Sequence, residues 1–288
     1  MLDRIPLGAR FLAPLLVLVG LVVAYPLGYS LWLSLTSRTI TQRETEFVGL
    51  DQYTGLLSDG EFGTAMRNTL VFVVLAVTIE LVLGLLLALA LQRQERVRNL
   101  TRSFLLTPMF VTPIAVGLMF RFLLNQQLGA IPQLLDVFGI TIDFFGSSLA
   151  LITIVFIDVW QWTPFMVLLL LAGLESLPRQ PFEAARIDGA STWMTFRRVT
   201  LPLLRPVIGI AVLLRALDAF KIFEYVFATT RGGPGDATIT AQFEIYRTGF
   251  QFFRLAEAAA MAFVLVGIVL LLSIALYRLL MRQEPATR

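Results

Sequence analysis

The chain contains neither cysteine nor histidine, and Lys221 is its only lysine. Without cysteine it can form no disulfide and no thiolate metal site. Without histidine it lacks the side chain that most often serves as a general base or a metal ligand. A phosphate-binding P-loop requires a lysine followed by serine or threonine, whereas Lys221 is followed by Ile222. The sequence therefore predicts no catalytic residue, no metal site and no cofactor held by this chain.

Charged residues are also scarce, and apolar residues take their place. Of the 288 residues, 57% are hydrophobic and 15% are charged, whereas a soluble domain is about half apolar and a quarter charged. The excess apolar surface requires lipid, or a large area of partner protein, to cover it. The basic residues lie in short segments between apolar runs and are not interleaved with aromatic residues, so nucleic-acid binding is not expected.

Six apolar stretches are long enough to cross a bilayer, which takes about 20 helical residues. They cover residues 11–35, 69–91, 103–124, 149–174, 203–228 and 258–280. The first is too long for a signal peptide and has no cleavage site before a polar segment. Pro108 and Pro113 predict a bend in the third. The sequence thus predicts an all-α, polytopic membrane protein, with residues 1–288 forming one transmembrane domain.

Arginine is distributed unevenly among the connecting segments, and this distribution predicts the orientation. Basic residues accumulate in the cytoplasmic segments of membrane proteins. Most basic residues of this chain lie near the two termini or in the connections after the second and fourth stretches. They are Arg4, Arg10, Arg93, Arg96, Arg98, Arg102, Arg179, Arg186, Arg197, Arg198, Arg205, Arg278, Arg282 and Arg288. Both termini and both connections are therefore predicted to be cytoplasmic.

The connection over residues 175–202 is the most informative segment. Pro181 suits the first turn of a helix, and two short amphipathic stretches follow, over residues 182–190 and 193–199. Gly189 provides either a helix end or a close approach to a partner. An amphipathic hairpin at this position either lies among lipid headgroups or docks in a groove of a soluble partner. The residues alone leave both uses open.

A residue pattern in this hairpin favours the second use. The runs Glu183-Ala184-Ala185, Asp188-Gly189-Ala190 and Leu201-Pro202 resemble the signature loop of binding-protein-dependent ABC import permeases, although Val199 replaces the usual isoleucine. The resemblance implies a coupling helix that inserts into a cleft on a separate ATPase. Glu183 would contact a basic residue there, and Gly189 would allow close packing. The implied coupling residues are Glu183, Ala184, Ala185, Asp188, Gly189, Ala190 and Pro202.

A second pattern narrows the resemblance to one branch of this family. Residues 223–262, with Gly232, Gly233, Pro234 and Gly235, resemble the segment before the last helix of carbohydrate permeases of the maltose and glycerol-phosphate type. The resemblance implies import of a sugar or sugar-like solute across a bacterial inner membrane, and docking of an extracytoplasmic solute-binding protein on residues 232–235. The other implied partners are a second, homologous permease and two ATPase subunits that bind ATP and magnesium.

Polar side chains inside the apolar stretches are candidates for the solute path, because a charge in the bilayer is costly unless it is paired or faces water. Arg215, Asp218, Lys221 and Glu224 are spaced by three and alternate in sign, which fits either a pore-lining strip or a self-neutralising ladder. Glu80 either pairs with a charge such as Arg215 or lies in an aqueous cavity.

The fourth stretch carries a second polar group. Asp158, Trp160 and Gln161 offer an aromatic face together with hydrogen-bonding groups, which suits a sugar. Tryptophan also marks the membrane interface, so a structural role is also open.

Two other classes of membrane protein remain as alternatives. A membrane-embedded enzyme is disfavoured because histidine, cysteine and suitably spaced carboxylates are missing. An ion-coupled secondary transporter or a channel subunit would account for the intramembrane charges, but it would leave the hairpin unexplained.

Overall fold

The structure is a computed structural model that describes residues 7–39, 45–58, 60–92 and 103–281. Eight arginines lie outside the described residues, and seven of them contributed to the predicted orientation, which stays a prediction. The eight are Arg4, Arg43, Arg93, Arg96, Arg98, Arg102, Arg282 and Arg288.

Helices account for nearly all regular structure among the described residues, and one isolated β-bridge joins Thr36 to Phe47. The α-helices are Leu7–Val19, Tyr25–Ser34, Asp51–Ser58, Gly60–Gln92, Pro113–Leu123, Ala130–Asp136, Ala150–Ser176, Gln180–Ile187, Thr192–Thr195, Leu201–Ala219, Glu224–Ala228, Ala241–Tyr246 and Leu255–Met281. Gly20–Ala24, Phe196–Thr200 and Arg247–Gln251 are π-helical turns, and Thr107–Phe110 is a 3₁₀-helix. The predicted all-α class is confirmed.

Five of the described helices are long and apolar enough to cross a membrane, and the number is six if one sharply bent pair forms a single span. We number the spans 1 to 6 in chain order. They are Pro14–Ser34, Gly60–Gln92, the bent pair Ser103–Phe110 and Pro113–Leu123, Ala150–Ser176, Thr192–Ala219 and Leu255–Arg278. These spans correspond to the six stretches predicted from the sequence.

Span 3 bends by 97° between its two helices. Val111 and Thr112 adopt extended backbone conformations immediately before Pro113. A proline disfavours the helical conformation in the residue before it, so the predicted bend falls at this point. The bend leaves the carbonyl of Val111 without a helical hydrogen bond, and the side-chain amide of Gln161 in span 4 donates to it instead.

Span 5 begins and ends earlier than the stretch 203–228 predicted for it. Ser191 caps its start by accepting a hydrogen bond from the Met194 N–H at 3.3 Å. The helix then runs through the π-helical turn Phe196–Thr200 and ends at Ala219. The second amphipathic stretch of the hairpin is thus the first part of span 5.

A separate short helix, Glu224–Ala228, follows the end of span 5 and packs on span 3. A Cβ atom at Gly117 would lie 2.8 Å from the Cβ of Ala228, so this approach requires glycine at position 117. Arg121 donates a hydrogen bond to the Ala228 carbonyl at 3.2 Å and holds the end of the short helix.

The described residues group into two compact units. The first comprises those within Met1–Gly63 and Glu244–Gly267, and the second comprises those within Thr64–Phe243 and Ile268–Arg288. In the first unit, the Ala256 N–H donates to the Arg38 carbonyl at 3.1 Å. In the second, leucine-rich faces of spans 2, 4 and 5 form a buried core of Ala88, Leu91, Val167, Leu170, Leu171, Leu174 and Leu204.

Candidate functional site

A cluster of ionic side chains is buried where spans 2, 4 and 5 meet. Arg215 is only 1% exposed. Its Nε lies 2.8 Å from Oε2 of Glu80, and its Nη2 donates to Oε1 of the same carboxylate at 3.0 Å. Arg215 also donates to Asp158, and its Nη1 reaches Oδ2 of Asp218 at 3.3 Å. We call these four residues the Arg215 cluster. Paired in this way, the guanidinium is stable in the low-dielectric interior.

Beside this cluster lies a polar cavity of about 200 Å³. Its charged lining residues are Asp158, Arg215, Asp218, Lys221 and Glu224. Nζ of Lys221 lies 3.5 Å from Oδ1 of Asp218, and the two side chains are 69% and 45% exposed. Two of the three neighbouring pairs of the predicted ladder are present, Arg215 with Asp218 and Asp218 with Lys221. Arg215 also contacts carboxylates on other spans, and Glu224 lies beyond the end of span 5.

Hydrogen bonds connect the cavity wall to the bend in span 3. The guanidinium carbon Cζ of Arg215 lies over the Trp162 ring, 5.4 Å from the ring centre. The indole N–H of Trp162 donates to the Tyr225 hydroxyl oxygen at 3.0 Å. The Tyr225 hydroxyl donates to Oε1 of Gln161 at 2.7 Å. The Gln161 amide donates in turn to the Val111 carbonyl at 2.6 Å. These bonds fix the bend relative to spans 4 and 5.

The structure brings together four of the six residues predicted for the solute path, namely Asp158, Asp218, Lys221 and Glu224. It separates the other two from the polar cavity. The buried amide of Gln161 is occupied by Val111 and Tyr225. Trp160 instead lines an apolar groove between spans 2, 3 and 4, where its ring meets that of Phe120 edge to face at 5.4 Å.

The predicted coupling residues lie on the hairpin between spans 4 and 5. Glu183, Ala184 and Ala185 belong to the helix Gln180–Ile187, where Glu183 is exposed. Pro202 is the second residue after the π-helical turn of span 5, in the first turn of the helix Leu201–Ala219. Asp188 caps the C-terminus of the short helix, and Gly189 and Ala190 form the turn that follows.

Gly189 ends the short helix in the left-handed conformation, with φ of 69°. The Gly189 N–H donates to the Arg186 carbonyl at 3.2 Å, and the Ala190 N–H donates to the Ala185 carbonyl at 2.9 Å. This pattern is a Schellman motif. A Cβ atom at Gly189 would have no neighbour within 4 Å in the described chain. Gly189 therefore serves as a helix end, and its surface stays open to a partner.

Large apolar side chains are exposed on the same hairpin. Ile187 is 86% exposed and Trp193 is 67% exposed, and the Trp193 ring stacks on Phe196 at 5.6 Å. A cavity of about 660 Å³ lies between the hairpin and the ends of spans 2 and 4. Exposed apolar groups beside charged ones are typical of a surface that binds a partner or a membrane.

The glycine-rich segment predicted to dock a binding protein is anchored to span 2. We call residues 229–241 the glycine loop. The Asn68 amide donates to the carbonyls of Asp236 and Ile239 at 2.9 and 3.0 Å. Thr69 Oγ1 accepts from the Ala241 N–H at 2.9 Å. The Thr238 hydroxyl donates to the Gly233 carbonyl at 2.8 Å.

These bonds hold the loop in one conformation, with Pro234 and Gly235 exposed and Gly232 buried. Sequence reasoning did not find Asn68 or Thr69, because a polar pair at the start of an apolar stretch looks like any helix end.

A second ion cluster lies in the first unit, outside the polar cavity. Arg247 pairs with Glu61 and, at 2.8 Å, with Glu244. Burial raises the pKa of the Glu244 carboxyl, and the hydrogen bond and charge of Arg247 lower it in part. Burial alone would lower the pKa of Arg247, but the hydrogen bonds and charges of Glu244 and Glu61 raise it above its usual value. The pKa values of Glu244 and Arg247 therefore depend on the contacts within this cluster.

Comparison with known proteins gives matches over almost the whole chain. The family model described as binding-protein-dependent transport system inner membrane component matches residues 80–288. The probable ABC transporter permease protein y4oQ of Sinorhizobium fredii is 38% identical, covering 99% of this chain and 93% of its own length. The trehalose/maltose transport system permease protein MalF of Thermococcus litoralis is 36% identical, with coverages of 87% and 84%.

A solved structure has the same fold. It is a bacterial ABC transporter involved in the import of the acidic polysaccharide alginate. One of its chains superposes with a TM-score of 0.84 at 21% identity, covering 97% of this chain and 96% of that chain. At this identity the likeness concerns the fold alone.

Proposed function

Because the chain belongs to the family of binding-protein-dependent transport system inner membrane components, we propose that it forms half of the path of an ATP-driven importer for a sugar or sugar-like solute. It is a multi-pass protein of the inner membrane, and the resemblance in residues 183–202 and 232–235 agrees with this family. The other half of the path would come from a second, homologous permease.

The observation that carries the proposal is the continuity of span 5. The hairpin surface that contains Glu183 joins span 5 through the Gly189 turn and the Ser191 cap. Span 5 then runs for 28 residues without interruption and ends beside the polar cavity. A displacement of the hairpin would therefore move Arg215 and Asp218 directly. A partner that pushes on the hairpin can thereby open or close the cavity.

The partner would be an ATPase, because this chain has no P-loop of its own. ATP and magnesium would bind to that subunit and not to this chain. Closure of two ATPase subunits would move the two hairpins of a permease pair and rock the spans between inward-open and outward-open states. The hairpin would then face the cytoplasm, and the glycine loop would face a solute-binding protein on the other side.

The proposed solute class rests on the cavity and on the relatives. Trp162 offers an aromatic face, and Asp218, Lys221 and Glu224 offer groups that hydrogen-bond to hydroxyls. Among the similar proteins, one is named for trehalose and maltose, which are uncharged, and one is described as importing an acidic polysaccharide. A sugar or sugar-like solute is therefore proposed.

Purification of the chain from its native membrane in mild detergent tests the proposal. We expect an ATPase and a second permease to co-purify in a fixed ratio, and ATP hydrolysis to rise when the solute-binding protein is added with its solute. Recovery of the chain without an ATPase, together with ion-driven solute uptake in proteoliposomes, would instead support the secondary transporter.

A further inference from the structure

The charges that face the polar cavity do not balance. Three carboxylates line it, those of Asp158, Asp218 and Glu224, against the two cations Arg215 and Lys221. Glu80 lies behind Arg215 and is fully buried. If Glu80 is ionised it adds another negative charge, and if it is protonated it adds none. With Asp158 ionised as the partner of Arg215, the excess at the cavity is negative in both cases.

Both cations are already engaged by carboxylates. Arg215 interacts with Glu80, Asp158 and Asp218 and is nearly inaccessible. Lys221 lies 3.5 Å from Asp218. Arg215 is therefore inaccessible to an anionic solute, and the charge of Lys221, although its side chain is 69% exposed, is offset by Asp218.

Glu224 differs from the other carboxylates of the cavity. Its side chain is exposed, and it forms no ion pair within the part of the chain that the structure describes. It follows the end of span 5, as the first residue of the helix Glu224–Ala228. Its charge is therefore the one that a solute in the cavity meets without a compensating cation.

A low-dielectric wall strengthens the effect of this excess charge. Clefts lined by one sign of charge focus the electric field and change the local concentration of charged solutes by factors of about 10 to 1,000. We propose that the cavity admits uncharged and cationic solutes and excludes anionic ones, and that Glu224 determines this specificity. The inference rests on the proposed function, because it names the class of sugar that the transport path accepts: neutral sugars or amino sugars.

The absence of cysteine from the chain allows a direct measurement of the sign of the potential. Ala219 lines the cavity, and Ala219→Cys places a single thiol there with little change in size. The complete permease complex, with any native cysteines of its partner subunits replaced, is reconstituted in nanodiscs. It is then treated with cationic, neutral and anionic methanethiosulfonates of similar size, and each rate is divided by that of the same reagent with free cysteine.

We expect the normalised rate of the cationic reagent to exceed that of the anionic reagent by about tenfold, the lower end of focusing in clefts. Adding Glu224→Gln should reduce this preference severalfold and leave the rate of the neutral reagent unchanged. Glu46→Gln removes the same charge from an exposed position in the first unit and serves as the matched control. If Ala219→Cys does not assemble, Ile222→Cys provides a second position on the cavity lining.

A normalised preference for the anionic reagent, or none at all, would overturn the inference, since charges from the partner permease would then dominate. A preference that Glu224→Gln does not alter would remove the assignment to Glu224. Ala219 and Ile222 are only 2% and 5% exposed, so failure of the neutral reagent to react at both positions would show that solutes do not reach this wall of the cavity, which contradicts the inference. The measurement is independent of transport, so it can fail while the co-purification succeeds, and the reverse is also possible.

Discussion

The Arg215 cluster and the hairpin over residues 180–200 lie near opposite ends of span 5, and they differ in how their side chains are satisfied. In the cluster, every charge has a partner within the chain, across three spans. On the hairpin, Glu183, Ile187 and Trp193 are all exposed. The chain therefore pairs the charges of its own membrane interior and leaves hairpin side chains exposed, as the proposed contact with an ATPase requires. Substitutions in the cluster should impair folding, and substitutions on the hairpin should impair coupling.

The largest effect is expected from Arg215→Met, which removes the cation and leaves Glu80 and Asp158 buried together. Breaking a buried ion pair by removing one partner costs about 3–5 kcal/mol. We expect the variant to fail to accumulate in the membrane, or to melt at a much lower temperature, as measured by the yield of assembled complex and by thermal unfolding in detergent.

The matched control neutralises the whole group. The triple variant Arg215→Met, Glu80→Gln, Asp158→Asn contains no unpaired buried charge, and we expect it to recover much of the lost yield. A single variant that accumulates and melts like the unmodified protein would show that the cluster does not stabilise the fold.

A charge reversal on the hairpin should impair transport and leave the stability of the chain unchanged, in contrast to Arg215→Met. Placing like charges against each other in an interface costs several kcal/mol, about 2 or more. We expect Glu183→Lys to reduce solute uptake by at least about tenfold, while the chain still inserts and melts normally. Uptake in proteoliposomes, ATP hydrolysis and thermal unfolding are measured on the same preparation.

Glu46→Lys makes the same charge reversal at an exposed residue in the first unit and should leave uptake unchanged. Normal uptake by the Glu183 variant would remove the coupling role of this residue. If the Glu183 variant failed to insert into the membrane, Glu183 would be needed for folding, and the contrast between the hairpin and the Arg215 cluster would be wrong.

The glycine loop provides an intermediate case, because it is anchored internally but exposes its tip. Asn68→Asp replaces two N–H donors by an acceptor that faces two carbonyls. Losing the partner of a buried polar group costs about 1–3 kcal/mol. We expect faster trypsin cleavage after Arg231, which is exposed in this loop, and a higher concentration of binding protein for half-maximal ATP hydrolysis.

Thr69→Ser keeps the oxygen that accepts from Ala241, so it should leave both measurements unchanged. Unaltered cleavage in the Asn68 variant would mean that the loop keeps its conformation without this anchor. If cleavage is faster but the response to the binding protein is unchanged, the Asn68 hydrogen bonds hold the glycine loop in place without contributing to docking of the binding protein.

The sequence predicted the features that depend on neighbouring residues. Span lengths follow from the lengths of the apolar runs, and the bend in span 3 follows from Pro113. The family match confirms the resemblance found in the hairpin and the glycine loop. The spacing of Asp218 and Lys221 likewise predicted a pair that the structure contains.

Features that depend on residues far apart in the chain were not predictable. In the sequence, Glu80 lies 135 residues from Arg215, and Asp158 lies 57 residues from it. The residues next to Glu80 in the chain do not indicate whether it pairs with a charge or lies in an aqueous cavity. The use of Gln161 to satisfy the Val111 carbonyl depends on where span 3 breaks. Span 5 ends at Ala219, so Glu224 is not on the same helix as Arg215 and Asp218. The prediction placed all of these residues on one helix because their spacing by three fits a helix, but this spacing does not indicate where the helix ends.

The smallest effect concerns Gly189, and its direction decides between the two roles predicted for this residue. A residue with a Cβ in the left-handed conformation costs about 1–2 kcal/mol, whereas asparagine tolerates it better than other residues do. If Gly189 only ends the helix, Gly189→Ala should lower uptake more than Gly189→Asn, although alanine is smaller. If an ATPase packs closely against this position, the larger asparagine should be the more harmful. Since no atom of the described chain lies near the added Cβ, an asparagine variant that uncouples hydrolysis from uptake without lowering thermal stability would locate the obstruction on the partner.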